Sequence, residues 1–210
     1  KEAASILGAP AEACVLHIRG GGFNMHDWRP AWSVLLGQVV AGAGVCWQGP
    51  GVDAWTTEPE LGYTEFAEPF ITEGKAEAVA KTQGKKLWED TLGVCWFACW
   101  GVKDVVGNSA KALALATGWS DFDRDEALAV GERMINMQRI IALKRGFTSA
   151  DEFDVCDRLL EAPKEGKAKG QSIKPHLEGM VKEYYGHMGW EDTGKPTAAT
   201  LEKVGLSGEL

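Results

Sequence analysis

The sequence predicts a mainly α protein of several helices, with an irregular, glycine-rich first quarter. Three observations carry that prediction. Apolar residues recur at helical spacing from Asp104 onward, and Leu177, Met180, Val181, Tyr184, Tyr185 and Met188 follow the i, i+3, i+4, i+7 rule closely. Start and stop residues punctuate the same stretch: Asp123 stands ahead of Asp125 and Glu126, and glycines stand at 118, 146 and 189. The strand–helix alternation of a Rossmann-type sheet is missing.

Each element follows in order. Val15-Leu16-His17-Ile18 reads as a short strand, broken by Gly20-Gly21-Gly22. Pro30 suits the first turn of a helix, and Ala31 to Val40 sets Trp32, Leu35, Leu36 and Val39 on one face. Gly42 to Gly51 holds so many glycines that it reads as a loop, or as a place where backbone approaches something closely. Residues 53–73 read as a meandering loop whose carboxylates Glu58, Glu60, Glu65 and Glu68 are solvated and hold no metal. A helix is expected from Glu73 to Trp88, and another from Asp104 to Thr117, stopped by Gly118.

Asp123-Arg124-Asp125-Glu126 looks like a capping box. The helix it opens places Ala127, Val130, Met134 and Ile141 on one stripe, with Glu132, Arg133 and Arg139 off it, and ends at Gly146. Residues 161–172 are Lys/Gly-rich and expected to be exposed. The helix carrying Leu177 to Met188 ends at Gly189, and Pro196-Thr197 starts a short last helix that finishes near Gly205. Met134, Ile141, Leu177, Val181 and Tyr184 are the expected core, and the first 50 residues should hold one helix and at most a short strand pair.

Composition narrows the function classes. The 210 residues are 45% hydrophobic and 25% charged, enough to bury a real core. A net charge of -8 argues against general nucleic-acid binding, which rests on Lys and Arg neutralising phosphates. No stretch approaches the roughly 20 apolar residues that span a membrane. Five widely spaced cysteines (Cys14, Cys46, Cys95, Cys99 and Cys156) do not read as a disulfide framework, and a reducing cytoplasm fits them better. Trp96, Trp100 and Trp119 lie near the Cys95/Cys99 pair and read as an aromatic core. The chain begins Lys1-Glu2-Ala3, so a fragment or processed product is expected.

Candidate chemistry centres on the thiols. Cys95 and Cys99 are four apart and share a helical face. Without Cys-x2-Cys spacing or a nearby His they do not make a zinc site, and both a buried-hydrophobe and a metal-ligand reading stand. His17, His26, His176 and His187 show no metalloprotease or nucleophile spacing and read as structural or surface residues. There is no P-loop and no G-x-G-x-x-G. These patterns alone give a soluble, mainly helical module.

The order of segments adds more. Asp90-Thr91-Leu92-Gly93-Val94-Cys95 matches a D-x-x-G-[LIV]-C pattern. Gly131-Glu132-Arg133-Met134-Ile135-Asn136 matches G-E-R-[IM]-x-N, and Arg139 and Gly146 match R-x-x-x-x-x-x-G. Glu183-Tyr184-Tyr185 with Gly189-Trp190, then Asp192 to Thr197 and Leu201 to Leu206, supply a closing turn and helix. Upstream, His26-Asp27-Trp28-Arg29 matches [YH]-D-P-R with Trp28 in place of proline. In this order the marks resemble the tungsten-containing aldehyde:ferredoxin oxidoreductase family, strongly from residue 88 on and more loosely over 8–50.

The resemblance implies the C-terminal, multi-helix part of such an enzyme. It divides the chain at 1–52, the end of a preceding helical domain with a glycine-rich cofactor-side loop, and 53–210, the domain carrying the motif. It implies tungsten, or molybdenum, between two pterin dithiolenes beside a [4Fe-4S] cluster, with an aldehyde oxidised to its acid and electrons passed to ferredoxin. Cys95 would be the fourth cluster ligand, three others lying upstream, and a thiolate is the usual ligand for iron in such a cluster. Asp90 would contact a pterin, Gly93 and Val94 would line the same pocket, and Cys99 inherits no role. The implied partners are ferredoxin or a small iron–sulfur subunit, the upstream domains, and a second copy in a homodimer, with no nucleic acid and no membrane. The implied location is the cytoplasm.

Two departures from the pattern matter. No C-x-x-C-x-x-x-C lies in this chain, so the 210 residues alone are expected to hold neither cluster nor tungsten and to be inactive. Where aldehyde-oxidising members carry R-G-[GA]-C-H, this chain has Ala43-Gly44-Val45-Cys46-Trp47. Trp47 replaces a metal-proximal His and cannot act as an acid or base near neutral pH, so the catalytic residue stays unassigned. The alternative is a non-catalytic electron-transfer or scaffold paralogue with a decayed cofactor pocket.

Overall fold

A computed structural model describes residues 2–22, 26–42, 49, 51–54, 56–99 and 101–210. The mainly α expectation holds. Among those residues the elements are α1 (Glu2–Leu7), α2 (Ala9–Glu12), α3 (Trp32–Val39), α4 (Lys75–Thr91), α5 (Trp96–Cys99), α6 (Val105–Thr117), α7 (Arg124–Lys144), α8 (Asp157–Leu160), α9 (Leu177–Met188) and α10 (Ala198–Lys203). Extended pairing there is limited to isolated bridges. No helix among the described residues is long and apolar enough to cross a membrane.

α4 is the central element, packed against α3, α7 and α9 and touched by α5 and α6. Its sequence has no proline and is rich in Ala, Lys and Glu, which favour helix. It is nonetheless buried on most sides, so its polar residues need partners inside. Lys75 Nζ reaches Asp53 at 2.9 Å, Lys85 Nζ reaches Glu58 at 2.8 Å, and the Tyr184 hydroxyl donates to Gln83. α3 is also buried all round, and its cap comes from afar: Asp53 accepts from the Ser33 amide at 3.1 Å.

The α4–α7 contact is a close backbone approach. A Cβ on Gly131 would lie 1.9 Å from the Gly84 carbonyl oxygen. α9 closes the core from the other side, burying Leu177, Met180, Val181, Tyr184, Tyr185 and Met188 as the periodicity predicts. Each such side chain, fully buried, contributes about 1.5–3 kcal/mol. Gly189 (φ +67°) ends α9, and Thr197 caps α10 through the Thr200 amide.

Several expectations need correction. Val15–Ile18 forms no strand: Ile18 makes single bridges to Gly21 and Val155, because Arg19 (φ +51°) and Gly20 turn the chain at once. The described residues among the first 50 hold three helices, not one, since α1 and α2 precede α3. Pro30 precedes the helix and its Ala31 cap, and so is not in its first turn. α4 runs past Trp88 to Thr91. At α7 the cap is half a box: Asp123 accepts from the amides of Asp125 and Glu126 with no reciprocal bond.

The buried row of α7 runs through Ala127, Gly131, Ile135, Arg139 and Ile140, while Ile141 is 42% exposed and Val130 and Met134 are half-buried. Arg139, read as off the stripe, is enclosed. Its guanidinium donates to Glu152 Oε1 (2.6 Å), Gly194 O (2.7 Å) and Tyr185 Oη (3.1 Å) and lies 4.9 Å from the ring centres of Phe147 and Trp190. The aromatic core is elsewhere than expected: Trp28, Trp32, Trp88 and Trp190 are buried, Trp96 is half-buried and Trp119 is 56% exposed. Trp100 lies outside the described residues, as does most of the glycine-rich stretch 43–50.

Candidate functional site at the α4–α5 junction

The Asp90–Cys95 motif is the turn between two helices. α4 ends with the Leu92 amide on Glu89 O and the Gly93 amide on Asp90 O, both at 3.1 Å. Gly93 takes φ +66°, a conformation natural to glycine, and reverses the chain. Cys95 then opens α5, its carbonyl accepting from Ala98 (2.8 Å) and Cys99 (3.2 Å). Asp90, Gly93, Val94 and Cys95 thus share one short exposed edge. Asp90 is ion-paired with Lys86 one helical turn back, yet 42% of its side chain stays exposed. Trp47 and Cys46 lie outside the described residues.

The two thiols separate cleanly. Cys95 is exposed and Cys99 is buried. Burial, and after it the nearby Glu89 carboxylate, pushes the Cys99 thiol up, which keeps it a neutral thiol. Among the described residues no group of three or more His, Cys, Asp or Glu is arranged to hold a metal ion. This turn therefore offers one exposed cysteine, Cys95, beside the half-exposed, Lys86-paired carboxylate of Asp90. That donor set fits a single corner of an iron–sulfur cluster and a hydrogen-bond acceptor for a pterin, with the remaining ligands supplied from elsewhere.

Behind this edge, on the inner side of the α4 C-terminus, a cleft of about 730 Å³ is lined by Glu58, Glu60, Lys85, Glu89, Cys99 and Arg124 among others. Lys85 Nζ lies 2.8 Å from Glu58 Oε2 and 3.2 Å from Glu89 Oε1. Burial pulls the Lys85 ammonium down, but Glu58 and Glu89 outweigh it and hold the group above the usual lysine range. Burial pushes the Glu89 carboxyl up, against the pull of Lys85.

Glu58 and Glu60 overturn the solvated reading of the 53–73 carboxylates. Glu58 is buried on Lys85, and Glu60 caps α6 by accepting from the amides of Val105 (2.7 Å) and Val106 (3.3 Å). Glu65 and Glu68 are exposed as expected. The Lys85/Glu89 and Lys86/Asp90 pairs at i, i+4 were visible in sequence, but nothing there said that the first pair is inside. The histidines sit as structural or surface groups: His176 stacks on Trp32 at 5.3 Å, and His187 faces Glu183 at 3.8 Å. Asp27, in the upstream mark, is bidentate with Arg29, which holds its carboxyl below the usual range.

A family model described as aldehyde ferredoxin oxidoreductase, domains 2 & 3, matches residues 1–206. The chain belongs to the aldehyde ferredoxin oxidoreductase family. Relatives named tungsten-containing aldehyde ferredoxin oxidoreductase include those of Pyrococcus furiosus, 30% identical over 185 residues, and Pyrococcus abyssi, 31% identical over 184. Those matches cover 87% and 86% of this chain, and the chain spans 29% of each relative's length. Among solved structures, the active site complex BamBC of benzoyl coenzyme A reductase, in complex with 1,5-dienoyl-CoA, superposes with a TM-score of 0.67. At 17% identity, over 99% of this chain and 35% of that one, it shares the fold of the family member described here.

Proposed function

We propose that this chain is the helical part of a tungstopterin/[4Fe-4S] oxidoreductase that oxidises an aldehyde to its acid in the cytoplasm and passes electrons to ferredoxin or a small iron–sulfur subunit. The observation that carries the reading is the exposed Asp90–Cys95 edge, in a chain whose family match runs from residue 1 to 206. Bound tungsten (or molybdenum) pterin would supply the two-electron chemistry and the cluster the electron exit.

The chain's own residues position these groups. Asp90 would accept from pterin N–H donors, with Lys86 fixing its orientation. Gly93 and Val94 would let the loop approach closely, and Cys95 would offer its thiolate to iron. Cys99, buried and neutral, would pack beneath the loop. In this reading the other three cluster ligands would come from a C-x-x-C-x-x-x-C run, which these 210 residues do not contain.

The test is iron and acid-labile sulfide content, with electron paramagnetic resonance, on the full-length protein. Cys95→Ser should lose or strongly destabilise the cluster, and Cys99→Ser should keep it. Equal loss in both variants would remove Cys95 from its assigned role. Trp47, at the position of the usual His, favours a second reading, a non-catalytic electron-transfer paralogue. Full-length protein with a cluster but without tungsten, molybdenum or pterin would establish it.

A further inference from the structure

Glu89 stands one residue before Asp90 but faces the other way, into the cleft. Its side chain is 1% exposed, and neither carboxylate oxygen accepts a hydrogen bond among the described residues. Lys85 Nζ lies 3.2 Å from Oε1, but its hydrogen bond goes to Glu58. Asp53, equally buried, is by contrast hydrogen-bonded at both oxygens, by Lys75 and the Ser33 amide. Lys85 stands near one oxygen only, and the other is buried without a partner, so a proton taken there relieves the cost of burying the charge.

We propose that Glu89 is a proton-exchanging carboxyl, taking one proton from solvent through the cleft when one electron enters the cluster at Cys95. This rests on the cluster reading above. Cys99, at the end of α5, lies within electrostatic reach of Glu89 on one side and Cys95 on the other. Cys99 lines the same cleft as Glu89 and its amide bonds to the Cys95 carbonyl, so negative charge added at Cys95 raises the proton affinity of Glu89 across the α4–α5 turn.

The balance is simple. An aldehyde and water become an acid, two electrons and two protons. As one electron passes the cluster, the Glu89 carboxylate becomes a carboxylic acid, and it returns the proton when the electron leaves. The groups facing Glu89 are Lys85 and Lys86 from α4, Glu58 and Glu60 from the preceding turn, Cys99 from α5, and Arg124, from α7, across the cleft. The lysines keep the carboxylate form accessible, and the neighbouring carboxylates favour the proton.

The experiment is a potentiometric titration of the full-length enzyme, with dithionite as reductant and the cluster followed by electron paramagnetic resonance at several pH values. Proton affinity at Glu89 should rise on the order of tenfold on reduction. That corresponds to a fall of about 59 mV in potential as pH rises through the Glu89 window. In Glu89→Gln that fall should vanish with cluster content unchanged, and Glu89→Asp should restore it at a displaced pH. Infrared difference spectra of the wild type should show a carboxylic acid C=O band appearing on reduction, a readout that needs no variant. A wild-type potential independent of pH, no such band, or an undiminished slope in Glu89→Gln would overturn the proposal. A wild-type protein with no cluster would instead overturn the reading on which it rests.

Discussion

Arg139 is a permanent charge in the interior, and everything around it answers that charge. Glu152 supplies the counter-ion, Gly194 O and Tyr185 Oη take two further N–H bonds, and the rings of Phe147, Tyr185 and Trp190 surround the plane. A lysine ammonium has no planar fork to meet these three acceptors at once and no flat face to lie against the rings. Arg139→Lys should therefore cost about 3–5 kcal/mol, because Glu152 is left buried with poor compensation. Urea unfolding followed by tryptophan fluorescence measures it, and a loss under about 1 kcal/mol would mean the cage is not what holds the charge. No local pattern marks Arg139 as buried, because its partners stand 13, 46 and 55 positions away. The Asp90–Cys95 motif is legible for the opposite reason: its helix end, glycine reversal and thiol lie within six residues. Glu89 escapes sequence reading despite being its neighbour, since residue type alone places a glutamate outside.

At the scale of elements, the crossing of α4 and α7 sets how near the cleft walls can come. The two glycines at that crossing are not equivalent. A Cβ at Gly131 would sit 1.9 Å from a backbone oxygen, whereas one at Gly84 would meet nothing nearer than 3.9 Å. Gly131→Ala must push the helices apart, and is expected to lower stability by about 1–3 kcal/mol. Gly84→Ala gains helix propensity without a clash, and should be neutral or stabilising by up to about 1 kcal/mol. Melting temperatures by circular dichroism compare them, and equal shifts would contradict this crossing geometry. The longer helices could be read from the sequence because caps, stops and period are local: Asp123, Gly118, Gly146 and Gly189 stand where helix ends need them. α1 and α2, six and four residues long, are too short to show a period. The tilt of the α7 face was misread because its buried row includes a glycine and an arginine, which no apolar pattern counts.

Across the whole molecule, α4 joins parts that would otherwise be separate. Its body packs into the main core with Val79 and Leu87, and Trp88 near its end seeds a second cluster with Val106, Ala110 and Ala127. α3, α7 and α9 each lie on it, so none of them opens without disturbing the others. α1 and α2 pack chiefly on each other, leaving Ile6 and Leu7 exposed. Hydrogen exchange should divide accordingly. Amides in the middle of α4, α7 and α9 should exchange only through global unfolding, and those of α1 and α2 through cheap local opening. The sharpest boundary is expected at the candidate site, between α4 up to Asp90, anchored by the spine, and the exposed turn of Gly93, Val94 and Cys95. Such a boundary would hold Glu89 and Asp90 in fixed positions while the thiol end of the loop stays free to adapt to what it binds. Amides of Thr82 to Trp88 that exchanged as fast as those of α1 would show that α4 is not the common support, and the fixed geometry argued for Glu89 would fall with it.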